Sequence, residues 1–170
     1  MQRLAACLSI AASLLLAGCF GSQQPMFPLS SAVPALGPGE RFETFERVDG
    51  QDKPAGQVTV RPRGDGAYDF ISPNGASNPV SFHPIAGGLY VAQIKLEGDS
   101  GYLYTLLSIT GDEALIVPAE CEKQDQAKMT ALGVDIRGRL ECRIDKVADP
   151  AAFFASLTKS EPVSKMVRVK

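Results

Sequence analysis

The 170-residue chain has no tryptophan and a single histidine, His83. One imidazole removes most metal sites, which draw on several, and leaves His83 as the one candidate base for a nucleophilic triad. No metal or cofactor is expected. Ser72, Ser81 and Ser108 lack the glycine-flanked elbow that would expose a nucleophile. No glycine-rich loop leads from a strand pattern into a helix pattern, so a phosphate cradle is excluded. Net charge is small, with 17 Lys and Arg against 19 Asp and Glu. That balance offers no basic face for nucleic acid. Residues 20–39 carry no charge at all. No apolar run reaches the roughly 20 residues of a membrane-spanning helix.

What the chain does have is a leader. Arg3 is followed from Leu4 to Ala17 by uncharged residues rich in Leu and Ala, the pattern of a signal peptide, and Gly18, Gly21 and Pro25 close the run. The segment ends in Leu16-Ala17-Gly18-Cys19. These four residues resemble the lipobox of bacterial lipoproteins. The resemblance implies cleavage before Cys19, acylation of the Cys19 thiol and a mature protein anchored to a membrane by lipid. In that family an Asp directly after the cysteine favours inner-membrane retention, and here the position holds Phe20. The implied destination is the periplasmic face of the outer membrane, with the inner membrane and the cell surface left open. The resemblance is confined to the N-terminal region and implies no characterised family for the mature domain.

The cysteines then divide by place. Cys7 leaves with the leader and Cys19 carries lipid, so Cys121 and Cys142 remain. In an oxidising compartment they are expected to form a structural disulfide, since a redox-active pair is usually spaced Cys-x-x-Cys.

Three segments follow: the signal peptide 1–18, the lipidated cysteine and a Pro/Gly/Ser-rich tether 19–40, and one globular domain 41–170. Pro25, Pro28, Pro34 and Pro38 favour an extended tether. The alternative is an irregular strap that docks Met26, Phe27, Leu29, Val33 and Leu36 on the domain. From Arg41 to Pro118 the pattern is β. Alternation is strict in 57–61, 67–71 and 79–83, whereas Leu89–Leu96 and Tyr102–Ile109 are apolar on both faces and read as central strands. Short turns such as Pro73-Asn74-Gly75 and Gly87-Gly88 join them into an antiparallel meander. Val58–Arg61 with Gly64, Asp65 and Tyr68 matches Ala92–Lys95 with Gly98, Asp99 and Tyr102, which suggests two hairpins of one shape or simple convergence. A helix is expected over Glu122–Leu132, stopped by Gly133, and another over Ala151–Leu157 behind Asp149 and Pro150. A strand over 139–144 runs through Cys142. Residues 163–169 either add an edge strand or trail off. The fold class is α+β, mainly antiparallel β, a sandwich or small barrel with one or two short C-terminal helices and one disulfide.

These residues point away from catalysis. His83, beside Pro84 at a strand end, is expected at a surface turn. Asp65, Asp69, Asp99 and Asp112 could pair as glycosidase carboxylates, but Asp65, Asp99 and Asp112 are explained by their Gly-Asp turns. Arg63-Gly64-Asp65 matches an adhesion tripeptide and sits in the same kind of turn. Tyr90, Tyr102 and Tyr104 are the candidate binding patch, an aromatic surface for an envelope protein or a glycan, unless they belong to the core. The expected function is non-enzymatic, a membrane-anchored binding or structural lipoprotein. A small inhibitor or carrier resembling the lysozyme-inhibitor lipoproteins, and an envelope hydrolase using His83 or an Asp pair, are the alternatives.

Overall fold

Alternating side chains along residues 40–117 become strands because each run has an apolar face to bury and turn residues to end it. The structure, a computed structural model, describes residues 20–37, 40–96, 101–137 and 141–169. Its strands are β1 (Phe20–Ser22), β2 (Glu40–Val48), β3 (Gln51–Pro62), β4 (Tyr68–Ile71), β5 (Ser77–Ile85), β6 (Leu89–Lys95), β7 (Tyr102–Thr110), β8 (Glu113–Val117), β9 (Asp135–Arg137), β10 (Glu141–Arg143) and β11 (Ser164–Arg168). Strands β2 to β8 form an antiparallel meander, β11 pairs with both β8 and β2, and β6 pairs with both β5 and β7. An eight-stranded barrel results, closed on itself. Closure leaves none of the eight as an unpaired edge. Residues 164–168 are therefore no edge strand: their backbone hydrogen bonds are taken on both sides, and they complete the wall.

The barrel interior is filled by Phe42, Val60, Phe70, Phe82, Ile94, Leu107, Ile116 and Met166, with Val58, Val80, Ala92 and Ala114 between them. A second core lies outside the wall over β6 and β7. There Val91, Tyr104 and Leu106 meet Phe20, Phe27, Phe153, Phe154, Leu157 and the disulfide. Two cores explain why β6 and β7 are apolar on both faces. One face looks into the barrel and the other lies under the N- and C-terminal segments.

The outer layer is pinned at several points. The Cys121–Cys142 bond is present, with 5.9 Å between the two Cα atoms. By closing a 22-residue loop such a link removes disorder from the unfolded chain, an effect of about 3 kcal/mol. The first helix, Gln126–Ala131, starts later than expected because Asp125 caps it, its side chain accepting from the Lys128 amide. It ends where Gly133 takes φ 89°, and Val134 donates back to the Met129 carbonyl. The second helix, Pro150–Ser156, opens as expected on Asp149, which accepts from the Ala152 amide. Of the two similar hairpins, β3–β4 and β6–β7 both exist in the wall. The Gly98-Asp99 turn lies outside the described residues.

The tether expectation needs correction over residues 20–37. Phe20 is 1 % exposed, and β1 runs antiparallel to β7 and parallel to β10, with Phe20 opposite Tyr104 and Cys142. Phe27 and Leu36 are also buried, one in each core. The strap alternative describes the segment, except that Leu29 is exposed. It holds because barrel side chains supply the hydrogen bonds that its proline-rich backbone cannot make to itself.

Candidate functional site

The strap lies on an unusual patch of the barrel wall. On the outer faces of β5, β6 and β7, where apolar residues would suffice for packing, the chain places Ser81, His83, Gln93 and Tyr104, each 3 % exposed or less. Each is satisfied by the strap or by a neighbour. Gln93 grips Phe27 at both ends: the Phe27 amide donates to Oε1 at 3.0 Å, and Nε2 donates to the Phe27 carbonyl at 3.1 Å. The Tyr104 hydroxyl accepts from the Met26 amide at 3.0 Å and bonds the Ser22 hydroxyl at 2.7 Å. Burial pushes its phenol up to about 12. Further along, the Val33 amide donates to the Phe82 carbonyl, and the Tyr68 hydroxyl donates to the carbonyl of Leu36.

His83 sits at the centre of this arrangement. Its Nδ1 bonds the Ser31 hydroxyl at 3.0 Å, its Nε2 bonds the Ser81 hydroxyl at 2.9 Å, and the Phe27 ring stacks on it with centroids 4.7 Å apart. Desolvation pushes the imidazole down to about 4, outweighing the opposite effect of a hydrogen bond from the ring to the Ser31 backbone. The expectation of a surface turn is thus corrected, since His83 is 1 % exposed in the middle of β5. The pair Ser81–His83 has the contact distance of a nucleophile and its base. Yet the far nitrogen meets a serine hydroxyl where a triad has a carboxylate, and both side chains are sealed beneath the strap.

The tyrosine patch also needs correction. Tyr102 and Tyr104 stand on the outer face of β7, whereas Tyr90, opposite Leu107, packs toward the barrel interior. Tyr104 is buried, so only Tyr102 presents a partly open ring outside the wall. The four aspartates do not form a facing pair among the described residues. Asp65 and Asp69 both pair with Arg63, each at 3.2 Å, and Arg63 holds the Asp65 carboxyl below its usual range. Asp112 pairs with Arg168 on the other side of the barrel, and Asp99 lies outside the described residues. Arg63 and Asp65 therefore engage each other and do not present an open adhesion tripeptide. Cys19 too lies outside the described residues.

Beside the buried patch is a groove of about 610 Å³. Pro25, Phe27, Pro28 and Leu29 of the strap make one wall, and Arg63, Asp65 and Ala67 of the β3–β4 turn make the other. Ser81, Gln93, Lys95 and Tyr102 lie along its floor. Its volume falls in the range of small-ligand sites. A smaller depression between Arg47, Asp52, Glu113 and Lys165 has its charges paired, Lys165 with Asp52 at 2.6 Å. Among the described residues no cluster of three His, Cys, Asp or Glu could hold a metal, and no helix is long and apolar enough to cross a membrane.

Sequence reasoning missed Gln93 and Ser31, and weighed Ser81 only as a nucleophile. The available signal was an amide inside Val91-Ala92-Gln93-Ile94, a strand otherwise apolar on both faces. Such a residue has to find buried partners. The class that the fold defines is a closed antiparallel barrel with a docked N-terminal strap and a disulfide-linked outer layer. No protein-family model matches the chain, and neither the curated proteins nor the solved structures contain a match to it.

Proposed function

We propose that the protein is a lipid-anchored envelope lipoprotein whose barrel binds a partner without catalysing a reaction. The observation that carries this reading is the groove beside the strap. It is open and of ligand size, while the one histidine is locked under the strap with both nitrogens engaged. A binding surface is thereby available, and the base a hydrolase would need is withheld from solvent. The lipobox supplies the address, with the outer membrane as the destination that Phe20 implies.

The strap also changes what anchoring does. Phe20 is buried in β1, and the next Cα toward the N-terminus lies one peptide unit, about 3.8 Å, away. A lipid on Cys19 would be attached one residue from β1, in the layer that covers the barrel wall. An extended tether of the same length would have allowed about 3 Å of reach per residue. The domain therefore rests close against the bilayer, with the seam between β7 and β10 nearest to it.

Growth with a labelled fatty acid tests the anchor. The wild-type protein is expected to take up label and to fractionate with membranes, and Cys19→Ser to do neither. An unlabelled, soluble wild-type protein with a free Cys19 thiol would end the anchoring half of the proposal.

A further inference from the structure

The binding role assigned to the groove leaves its ligand unnamed, and the polar groups of the groove narrow the choice. Two of its acceptors, on Asp65 and Gln93, are already committed. The Asp65 carboxylate takes the Arg63 guanidinium and the Ala67 amide, and the Gln93 amide is spent on Phe27. The donors are not. Lys95 and Tyr102 are direct cross-strand partners on the outer face of β6 and β7, and neither side chain forms an ion pair or hydrogen bond with a described residue. Side chains so paired have Cβ atoms about 5 Å apart, close enough for an ammonium and a phenol to share one acceptor. A lysine can only donate, and a charged donor bonds a carboxylate more strongly than a neutral oxygen. Above these donors stand Pro28, Leu29 and the edge of Phe27, an apolar wall.

Resting on the reading of the groove as a binding surface, we propose that its ligand is an extended acidic peptide, with a side-chain carboxylate held between Lys95 and Tyr102 and apolar neighbours laid along the strap. A neutral glycan fits less well, because it brings no charge to meet the Lys95 ammonium, and a charge-assisted hydrogen bond is the stronger one. Ligand binding also requires the strap to be in place, since the strap is one wall.

The test uses the full protein purified from membranes in detergent, with two fluorescent pools of acetylated tetrapeptide amides. One pool carries Glu at a fixed position and mixed residues elsewhere, and the other carries Gln there. Anisotropy is expected to show the Glu pool binding about tenfold more tightly, the scale of one charge-assisted hydrogen bond. The preference should weaken with added salt, disappear in Lys95→Met and shrink in Tyr102→Phe. Lys95 is exposed and Tyr102→Phe keeps the ring that packs against the outer core, so thermal midpoints serve as the folding control. Equal binding of the two pools, or a preference that survives Lys95→Met, overturns the carboxylate site while leaving the groove as a binding surface. Binding of neither pool overturns the peptide ligand, and neutral oligosaccharides bound in the same assay would replace it with a glycan.

Discussion

Phe154→Ala is expected to lower stability by about 3–5 kcal/mol, the largest single effect in the molecule. The Phe154 ring is the meeting point of the outer core. It lies 5.1 Å from Phe153, 5.6 Å from Tyr104, 6.0 Å from Phe20 and 6.2 Å from Phe27, centroid to centroid. Those four rings belong to the C-terminal helix, the barrel wall, β1 and the strap. Truncation at this position leaves a cavity that no single element can collapse to fill, because each is held elsewhere by hydrogen bonds or by the disulfide. Urea unfolding of the disulfide-intact protein measures it. A loss under about 1 kcal/mol would mean that the outer layer can repack and is not a second core.

The second large effect is a loss of stability in mild acid, traced to His83. Its folded value is about 4 against 6.5 for the free side chain, so the unfolded chain binds the proton more readily than the folded one. Stability from this group is therefore complete above pH 6.5 and falls as pH drops from there toward 4. At 1.36 kcal/mol per unit the total is about 3 kcal/mol. Among the described residues no charged side chain bonds to His83: its ring meets Ser31, Ser81 and Phe27, with Gln93 behind Ser81. Other titrations fall lower. The carboxyls of Asp52, Asp65 and Glu120 are held below their ordinary range by Lys165, Arg63 and Lys123, and their contributions are lost at more acid pH. Stability measured from pH 7.5 to 4.5 should slope downward in the wild type and run flatter in His83→Gln. Parallel slopes for the two proteins would show that the imidazole is not protected in the folded state.

The parts of the fold that announced themselves were those written locally. Strict alternation marked β3, β4 and β5, and the Asp149-Pro150 pair marked a helix start that the structure places where expected. The doubly apolar runs of β6 and β7 gave the signal of strands covered on both sides, although the cover turned out to be one barrel interior and one outer layer. Harder to read were features that depend on distant partners. Residues 164–168 carry no signal that they sit between β2 and β8, because that follows from ring closure and not from their own pattern. The strap resembled a tether for a similar reason: proline and the lack of charge describe a backbone with few internal hydrogen bonds. They say nothing of Gln93 and Tyr104, which lie some 66 and 78 positions away from the amides they accept from. The tyrosine patch failed on parity. Tyr90 is an even number of positions from Tyr102 and Tyr104 in the chain, but the β6–β7 register puts it opposite Leu107, on the other face.

Both the groove and the proposed close seating on the bilayer depend on residues 20–37 belonging to the folded domain. Amide hydrogen exchange at Phe27 and Val33 tests this most directly, since these amides are held by the Gln93 side chain and the Phe82 carbonyl. The expected result is slow exchange, within the range shown by the barrel amides of β5 and β6. Exchange at the rate of an unstructured peptide would contradict a docked strap and remove one wall of the groove.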